Sequence, residues 1–371
     1  MAFFEDLQTL GCLKPHETPR AAEHISEIIS LIETLISRGL AYQAGDGSVY
    51  FSIEKYRDNG GQYGQLLKLN FEEMRVGERV SRDEYEKESV ADFALWKART
   101  PEDGDIFWPG PWGEGRPGWH IECSAMSMKC LGKSFDLHLG GEDLIFPHHE
   151  DEIAQSQGAS GQSFVKYWMH SAHLLVQGKK MSKSEGNYFT LRDLLEKGFS
   201  GREIRYLLLS SHYREQFNFT LEGLQRARTT LARLDECLNK LRDSAGNSDG
   251  VADENLLQKI SEALDQDLNI SGAWGIIFEW VREINGSLAA GQLTPVQAAG
   301  ALAAWQKINF VFGLETKKKD AISAETAALL EQRVAARHAK DFKRADALRD
   351  ELKSKGWAIE DSPKGARLKK I

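Results

Sequence analysis

The sequence predicts an α/β region followed by an all-α region, on three observations. From about residue 89 to residue 195, short apolar runs alternate with helix-like stretches, and aromatic, Gly and Pro residues cluster at turns, the pattern of α/β layers. From residue 200 onward, Leu224, Leu231 and Leu238 interleave with Ala227, Leu234 and Leu241 at heptad spacing, the seam of a helical bundle. The chain is 371 residues long. Single cores stop growing near about 250–300 residues, so two to four domains are expected.

Taken in order, Ile25, Ile28, Ile29, Ile32, Leu35 and Ile36 mark one face of a helix that stops at Gly39. A hairpin follows, with Leu40–Gln43 and Ser48–Phe51 joined by the Gly45-Asp46-Gly47 turn. Residues 52–88 are polar and turn-rich and read as an irregular surface insertion. Apolar and aromatic residues return at Asp92–Lys97, Trp108–Gly113 and Gly118–Cys123, and Phe135–Leu139 reads as a strand ending in a Gly140-Gly141 turn. Thr190 and Asp193 have the spacing of a helix capping box. Beyond the leucine seam, residues 243–253 form a Gly/Ser/Asp/Asn loop, and a second helix pair is rich in Trp274, Ile276, Ile277, Phe278, Trp280 and Val281. Residues 315–320 read as a linker to a small tail module.

Composition excludes several classes. At 41% apolar and 27% charged residues the chain is an ordinary globular one. No apolar run approaches the roughly 20 residues that span a bilayer, so no membrane partner is expected. The first residues lack a secretory signal, and Cys12, Cys123, Cys130 and Cys237 are too scattered for a disulfide framework; a cytoplasmic location fits. The net charge of −8 argues against a uniformly basic nucleic-acid binder. Residues 331–371, however, carry twelve basic against seven acidic side chains, which suits either a phosphate-backbone contact or a solvated helix face.

Two groups of residues carry candidate chemistry. Lys180-Met181-Ser182-Lys183-Ser184 lies between an apolar run ending at Val176 and the helix start at Thr190. Such a loop brings mobile ammonium groups to the carboxyl edge of a sheet, where they can gather around phosphate charge in a transition state. A solvated surface loop has the same composition. Second, His148 and Glu152 are four apart on the helix that Pro147 opens, and Cys123 comes from another segment. Thiolate, imidazole and carboxylate together suit one zinc ion, while Pro147–Glu152 read alone is also an ordinary acidic helix start.

Gly118–Ser124, Gly140–Glu152, Tyr167–His170, the lysine loop and Ser211–Arg214, with the tail motifs after Lys340, occur in the order and spacing of cysteinyl-tRNA synthetase. The chain resembles that class I aminoacyl-tRNA synthetase family over essentially its whole length. The resemblance implies the C-terminal half of a Rossmann-type catalytic domain, then a helical bundle and a small anticodon-binding module. Its divisions are residues 1–88 (connective insertion), 89–195 (second catalytic half), 196–320 (stem-contact and bundle domain) and 321–371 (anticodon module). The implied reaction is cysteine–tRNA ligation: ATP, used with Mg2+, activates cysteine, which is then transferred to tRNA(Cys). The resemblance places Lys180 and Lys183 on the phosphates and Gly140, Gly141 and Asp143 at the nucleotide. It further assigns one zinc ion to Cys123, His148 and Glu152, and the amino-acid pocket to Trp119 and His138. His149 and His170 are expected to be structural, and Cys130 and Cys237 to pack.

One departure stands out. The family's His-x-Gly-His motif occurs nowhere in this sequence, and with it the first half of the nucleotide fold and one zinc cysteine are expected to be missing. The isolated chain is therefore expected to bind ATP and zinc poorly and to need a separate N-terminal catalytic half. Two other readings stay open: a non-catalytic zinc- or tRNA-binding remnant, and a cysteine ligase that acts on an amino sugar.

Overall fold

The computed structural model describes residues 2–67, 92–184, 186–314, 324–339, 341–362 and 365–370. Helix α1 (Ala2–Thr9) precedes α2 (Ile25–Ser37), which buries Ile28, Leu31, Ile32 and Leu35 at helical spacing and ends before Gly39 in left-handed backbone. Strands β1 (Ala41–Gln43) and β2 (Val49–Phe51) pair as the expected antiparallel hairpin.

The stretch read as irregular insertion is ordered where it is described. Ser52 caps α3 (Ile53–Asp58), accepting from the Lys55 N–H, and Tyr56 and Tyr63 are buried. Turn-rich composition hid a helix of six residues, too short to show periodicity. The rest of that stretch, from residue 68, lies outside the described residues.

Strands β3 (Phe93–Ala98), β4 (Trp108–Gly110) and β5 (Gly113–Pro117) complete a five-stranded antiparallel sheet in the order β1-β2-β3-β5-β4. Helix α4 (Trp119–Leu131) follows β5, capped by Gly118, where a Cβ would clash with the Ala94 carbonyl oxygen. Strand β6 (Phe135–Gly141) runs through both glycines, which pair with His170 and Ser171, so the predicted Gly-Gly turn is strand. Flat, side-chain-free pairing beside bulky imidazoles favours extension there over a turn.

A turn at Ile145–His149, with a cis Phe146–Pro147 bond, leads to α5 (Glu150–Ser160); Pro147 lies within this turn and does not open the helix itself. Strand β7 (Val165–Ser171) returns parallel to β6, a βαβ crossover. Helix α2, the antiparallel sheet, α4 and α5 share one apolar core around Trp96, Ile121 and Ala154.

Strands β8 (Leu174–Val176) and β9 (Lys179–Lys180) flank the tight turn before the lysine loop, and α6 (Leu191–Glu196) starts on the expected Thr190–Asp193 capping box. After α7 (Gly201–Leu208), β10 (Phe217–Phe219) pairs parallel to β8. The bundle is α8 (Leu221–Ala245), α9 (Glu254–Asp265), α10 (Ile270–Ala289) and α11 (Pro295–Phe312). All six seam residues of α8 are buried. The helix runs three residues into the predicted 243–253 loop, because Leu241 and Ala245 continue the buried face. The 315–320 linker lies outside the described residues. The tail module pairs α12 (Ala324–His338) and α13 (Phe342–Ser354) with the hairpin β11 (Trp357–Ser362) and β12 (Gly365–Lys370). Among the described residues, no helix is long and apolar enough to cross a membrane.

Leu234 is buried in the bundle core. Leu234→Ala is expected to destabilise that domain by about 2–5 kcal/mol through lost burial and a residual cavity. Urea unfolding followed by tryptophan fluorescence checks this; a change no larger than the roughly 0.5 kcal/mol of a surface substitution would contradict the packing.

Candidate functional site

The start of α5 joins the two candidate chemistries to the fold. Cys123 on α4, His148 on the turn and Glu152 on α5 present Sγ, an imidazole nitrogen and a carboxylate oxygen that all lie within 4.8 Å of one another. His148 Nε2 stands 2.9 Å from Glu152 Oε1, and both side chains are buried. Neither Glu152 oxygen has a hydrogen-bond donor.

The surroundings fix how His148 is turned. Its Nδ1 shares a 2.7 Å hydrogen bond with His120 Nδ1, and His120 Nε2 lies 3.4 Å from Asp151 Oδ2. Asp151 Oδ1 in turn accepts from the Tyr63 hydroxyl. A consistent proton assignment has His120 Nε2–H facing Asp151 and His148 Nδ1–H donating to His120. The Nε2 lone pair of His148 then faces the lone pairs of Glu152, which repel unless a proton or a cation lies between them. A carboxylate–histidine relay behind an inward-facing imidazole is the usual support for a metal ligand.

Cys123 fits the same logic. Burial, followed by the charges of Glu152 and Glu122, pushes its thiol up to about 12. A thiolate here needs a positive charge beside it, as does the unsatisfied carboxylate. A divalent ion with affinity for sulfur, nitrogen and oxygen satisfies both, so the donor set fits zinc.

A second group, His138, His149 and Glu152, shares the same carboxylate. His138 Nε2 is 3.8 Å from Glu152 Oε2 and its ring stacks on Trp168. His149 Nδ1 shares a 2.7 Å hydrogen bond with His170 Nε2. Burial, with the neighbouring imidazoles His138, His170 and His148, pulls His149 down to about 3, so it is neutral at physiological pH. Trp119 is exposed, with its ring 4.5 Å from that of His148.

The glycines serve close packing. A Cβ on Gly140 would lie 2.6 Å from His149 Cε1, and one on Gly141 would lie 2.5 Å from Asp143 Oδ1. Lys180 closes β9 opposite Leu175, and Lys183 Nζ rests 5.3 Å from the Tyr188 ring centroid. Asn187 props the loop between them, accepting from the Ser182 N–H and donating to the Lys180 carbonyl.

Comparison with known proteins decides the family. The family model for the tRNA synthetases class I (C) catalytic domain matches residues 1–229. Models for a DALR domain and a cysteinyl-tRNA ligase anticodon binding domain match residues 259–317 and 319–367. A protein of Chlamydia muridarum named cysteine–tRNA ligase is 48% identical over 385 residues, covering all of this chain and 80% of that one. The chain belongs to the cysteinyl-tRNA synthetase family. A cysteine–tRNA ligase of Brachyspira hyodysenteriae is 44% identical with the same coverage. In fold, the chain is similar to Mycobacterium tuberculosis methionyl-tRNA synthetase solved in complex with methionyl-adenylate. The TM-score there is 0.56 at 17% identity, over 84% of this chain and 74% of that one.

Within this synthetase, the structure gathers Cys123, His148, Glu152, Trp119 and His138 around one point, with Gly140 packed against His149. His120, Trp168 and the pairing of His149 with His170 were missed as site neighbours. Their signal was the recurrence of aromatic and imidazole side chains at 119–120, 138, 148–149 and 168–170, unreadable until β6 and β7 are paired. Of the cysteines expected to pack, Cys237 is buried but Cys130 is exposed at the end of α4, where the helix face turns outward.

Glu152→Gln keeps the shape and removes the charge. Zinc added to metal-stripped protein is expected to raise the melting temperature of the wild type and to leave that of the variant nearly unchanged, since only binding to the native state stabilises. An equal zinc-induced shift in both would contradict the assignment of Glu152 as a ligand.

Proposed function

We propose that this chain carries out cysteine–tRNA ligation, activating cysteine with ATP and Mg2+ and passing the aminoacyl group to tRNA(Cys). The observation that carries the reading is the convergence of Cys123, His148 and Glu152 in a chain that matches cysteine–tRNA ligases along its full length. An amino-sugar acceptor would make no use of the anticodon binding domain matched at 319–367, and a binding remnant would not need a lysine loop. The four free cysteines suit a reducing cytoplasm.

In this reading the residues divide the work. Cys123, His148 and Glu152 hold zinc, which supplies a thiophilic centre that separates a thiol substrate from its near-isosteric serine analogue. Trp119 and His138 wall the amino-acid pocket beside it. The flat backbone at Gly140 and Gly141, with Asp143, borders the nucleotide. Lys183, assisted by Lys180, neutralises phosphate charge as the cysteine carboxylate attacks the α-phosphate and pyrophosphate leaves.

We further propose that the parallel β6–β7 pair is completed by a segment carrying the His-x-Gly-His motif. Supporting this, β6 and β7 pair only with each other among the described residues, and Leu137, Leu139 and Tyr167 are exposed on them.

Cysteine-dependent ATP–pyrophosphate exchange, measured with the chain alone and with the N-terminal half of a relative added, tests the reading. Exchange is expected at least with the added half, and its absence in both arms would sink the assignment. Lys183→Ala is expected to lower the exchange rate by about 10²–10³ while leaving cysteine affinity unchanged. An equal loss of cysteine binding would mean that the lysine acts elsewhere.

A further inference from the structure

Asp267 sits in the turn between α9 and α10, in backbone that few side chains adopt: its φ is 54°, and that of the next residue, Leu268, is 55°. Leucine in particular avoids this left-handed region; beside the turn's own bond from the Leu268 N–H to the Leu264 carbonyl, contacts from outside the turn hold Asp267. Three consecutive residues after α7 supply them. His212 Nε2 donates to the Asp267 carbonyl at 2.8 Å, and the Tyr213 hydroxyl donates to Oδ1 at 2.6 Å. Arg214 Nε donates to Oδ2 at 2.6 Å, and a terminal guanidinium nitrogen reaches Oδ1 at 3.3 Å. The donor assignment for His212 is internally fixed, because its Nδ1 accepts from the Arg214 N–H.

The other side of the same three residues grips the strand crossing of the catalytic domain. The Tyr213 carbonyl accepts from the Ala172 N–H at 2.8 Å, and the His173 carbonyl accepts from the Phe217 N–H at 3.2 Å. The His173 N–H donates to Glu142 Oε1 at 3.1 Å, and Glu142 lies between Gly141 and Asp143. From His173 the chain enters β8, held between β10 and β9, and β9 ends at Lys180. One carboxylate on the bundle thus reaches, through Tyr213, Ala172 and His173, both the nucleotide-side edge of β6 and the root of the lysine loop.

We propose that Asp267 is a positioning residue that locks residues 212–214 against residues 171–173, so that the helical bundle sets where the lysine loop stands relative to Gly140–Asp143. The role of that loop rests on the function proposed above; the mechanical coupling does not. A tRNA that shifts the α9–α10 turn would, through this clamp, move the groups that neutralise phosphate. The pairing is exposed, and exposed ion pairs contribute little to global stability, which suits a coupling device better than a structural rivet.

Asp267→Asn tests this without disturbing the turn, because Asn tolerates left-handed backbone. Amide hydrogen exchange of the full chain is expected to quicken about tenfold in a peptide covering 172–183, the effect of losing a charge-assisted hydrogen bond on local opening. Exchange in a peptide covering 224–241 should not change. Tyr213→Phe, which removes one bond of the clamp, should show a smaller shift in the same peptide. Unchanged exchange at 172–183 in both variants would overturn the proposal, and so would equal acceleration throughout the bundle. In pyrophosphate exchange, the KM for ATP should rise about three- to tenfold in Asp267→Asn with the KM for cysteine unaltered, and a parallel rise in both would overturn it. A wild-type chain with no exchange activity even when the N-terminal half is added would count against the proposed function, while the hydrogen-exchange result would still decide the clamp.

Discussion

Three consecutive carboxylates, Glu150, Asp151 and Glu152, are completely buried at the start of α5, and the site is organised around keeping them there. Burying a carboxylate costs several kcal/mol unless it is paired or hydrogen-bonded. Each is handled differently. Glu150 accepts from the backbone N–H groups of Gly64, Gln65, Leu66 and Leu67, tying that loop to the helix. Asp151 takes the Tyr63 hydroxyl and faces His120. Glu152 has no donor and looks onto Cys123, His148 and His138. The positive end of the α5 dipole favours all three charges but does not by itself satisfy the third.

From that constraint the neighbouring architecture follows. Asp151 orients His120, which orients His148, so one acid sets the imidazole that faces the next. The Cβ-free backbone at Gly140 lets His149 approach β6, and His149 pairs with His170 on β7. β7 then leads through Ala172 and His173 to β8 and the lysine loop. The histidine cluster and the lysine loop are therefore joined by a short run of backbone that passes from the β6–β7 pair to the β8–β9–β10 sheet.

Much of this was legible in the sequence where a single element carries the signal. The α2 face, the β1–β2 hairpin, the Thr190 capping box and the α8 seam each follow from local periodicity or capping chemistry. His148 and Glu152 were legible as a pair because four-residue spacing on one turn brings them together. Cys123 was placed with them on donor chemistry and then by resemblance, since no local pattern relates α4 to α5. The histidine relay was illegible for the same reason: His120 meets His148, and His149 meets His170, only through helix packing and sheet pairing. Gly140 and Gly141 misled as a turn because their role is close approach, which depends on what lies opposite. The Asp267 clamp had no signature, as its partners lie more than 50 residues earlier in the chain.

Zinc-edge X-ray absorption of the protein completed with the N-terminal half of a relative and loaded with zinc tests the central claim most directly, because it reads the ligand atoms themselves. The account expects bound zinc with a sulfur neighbour at roughly 2.3 Å and nitrogen or oxygen neighbours at about 2.0–2.2 Å. In Cys123→Ser that sulfur contribution should fall, and in His149→Ala the whole pattern should persist. Protein without zinc, or a sulfur signal indifferent to Cys123→Ser, would contradict the account.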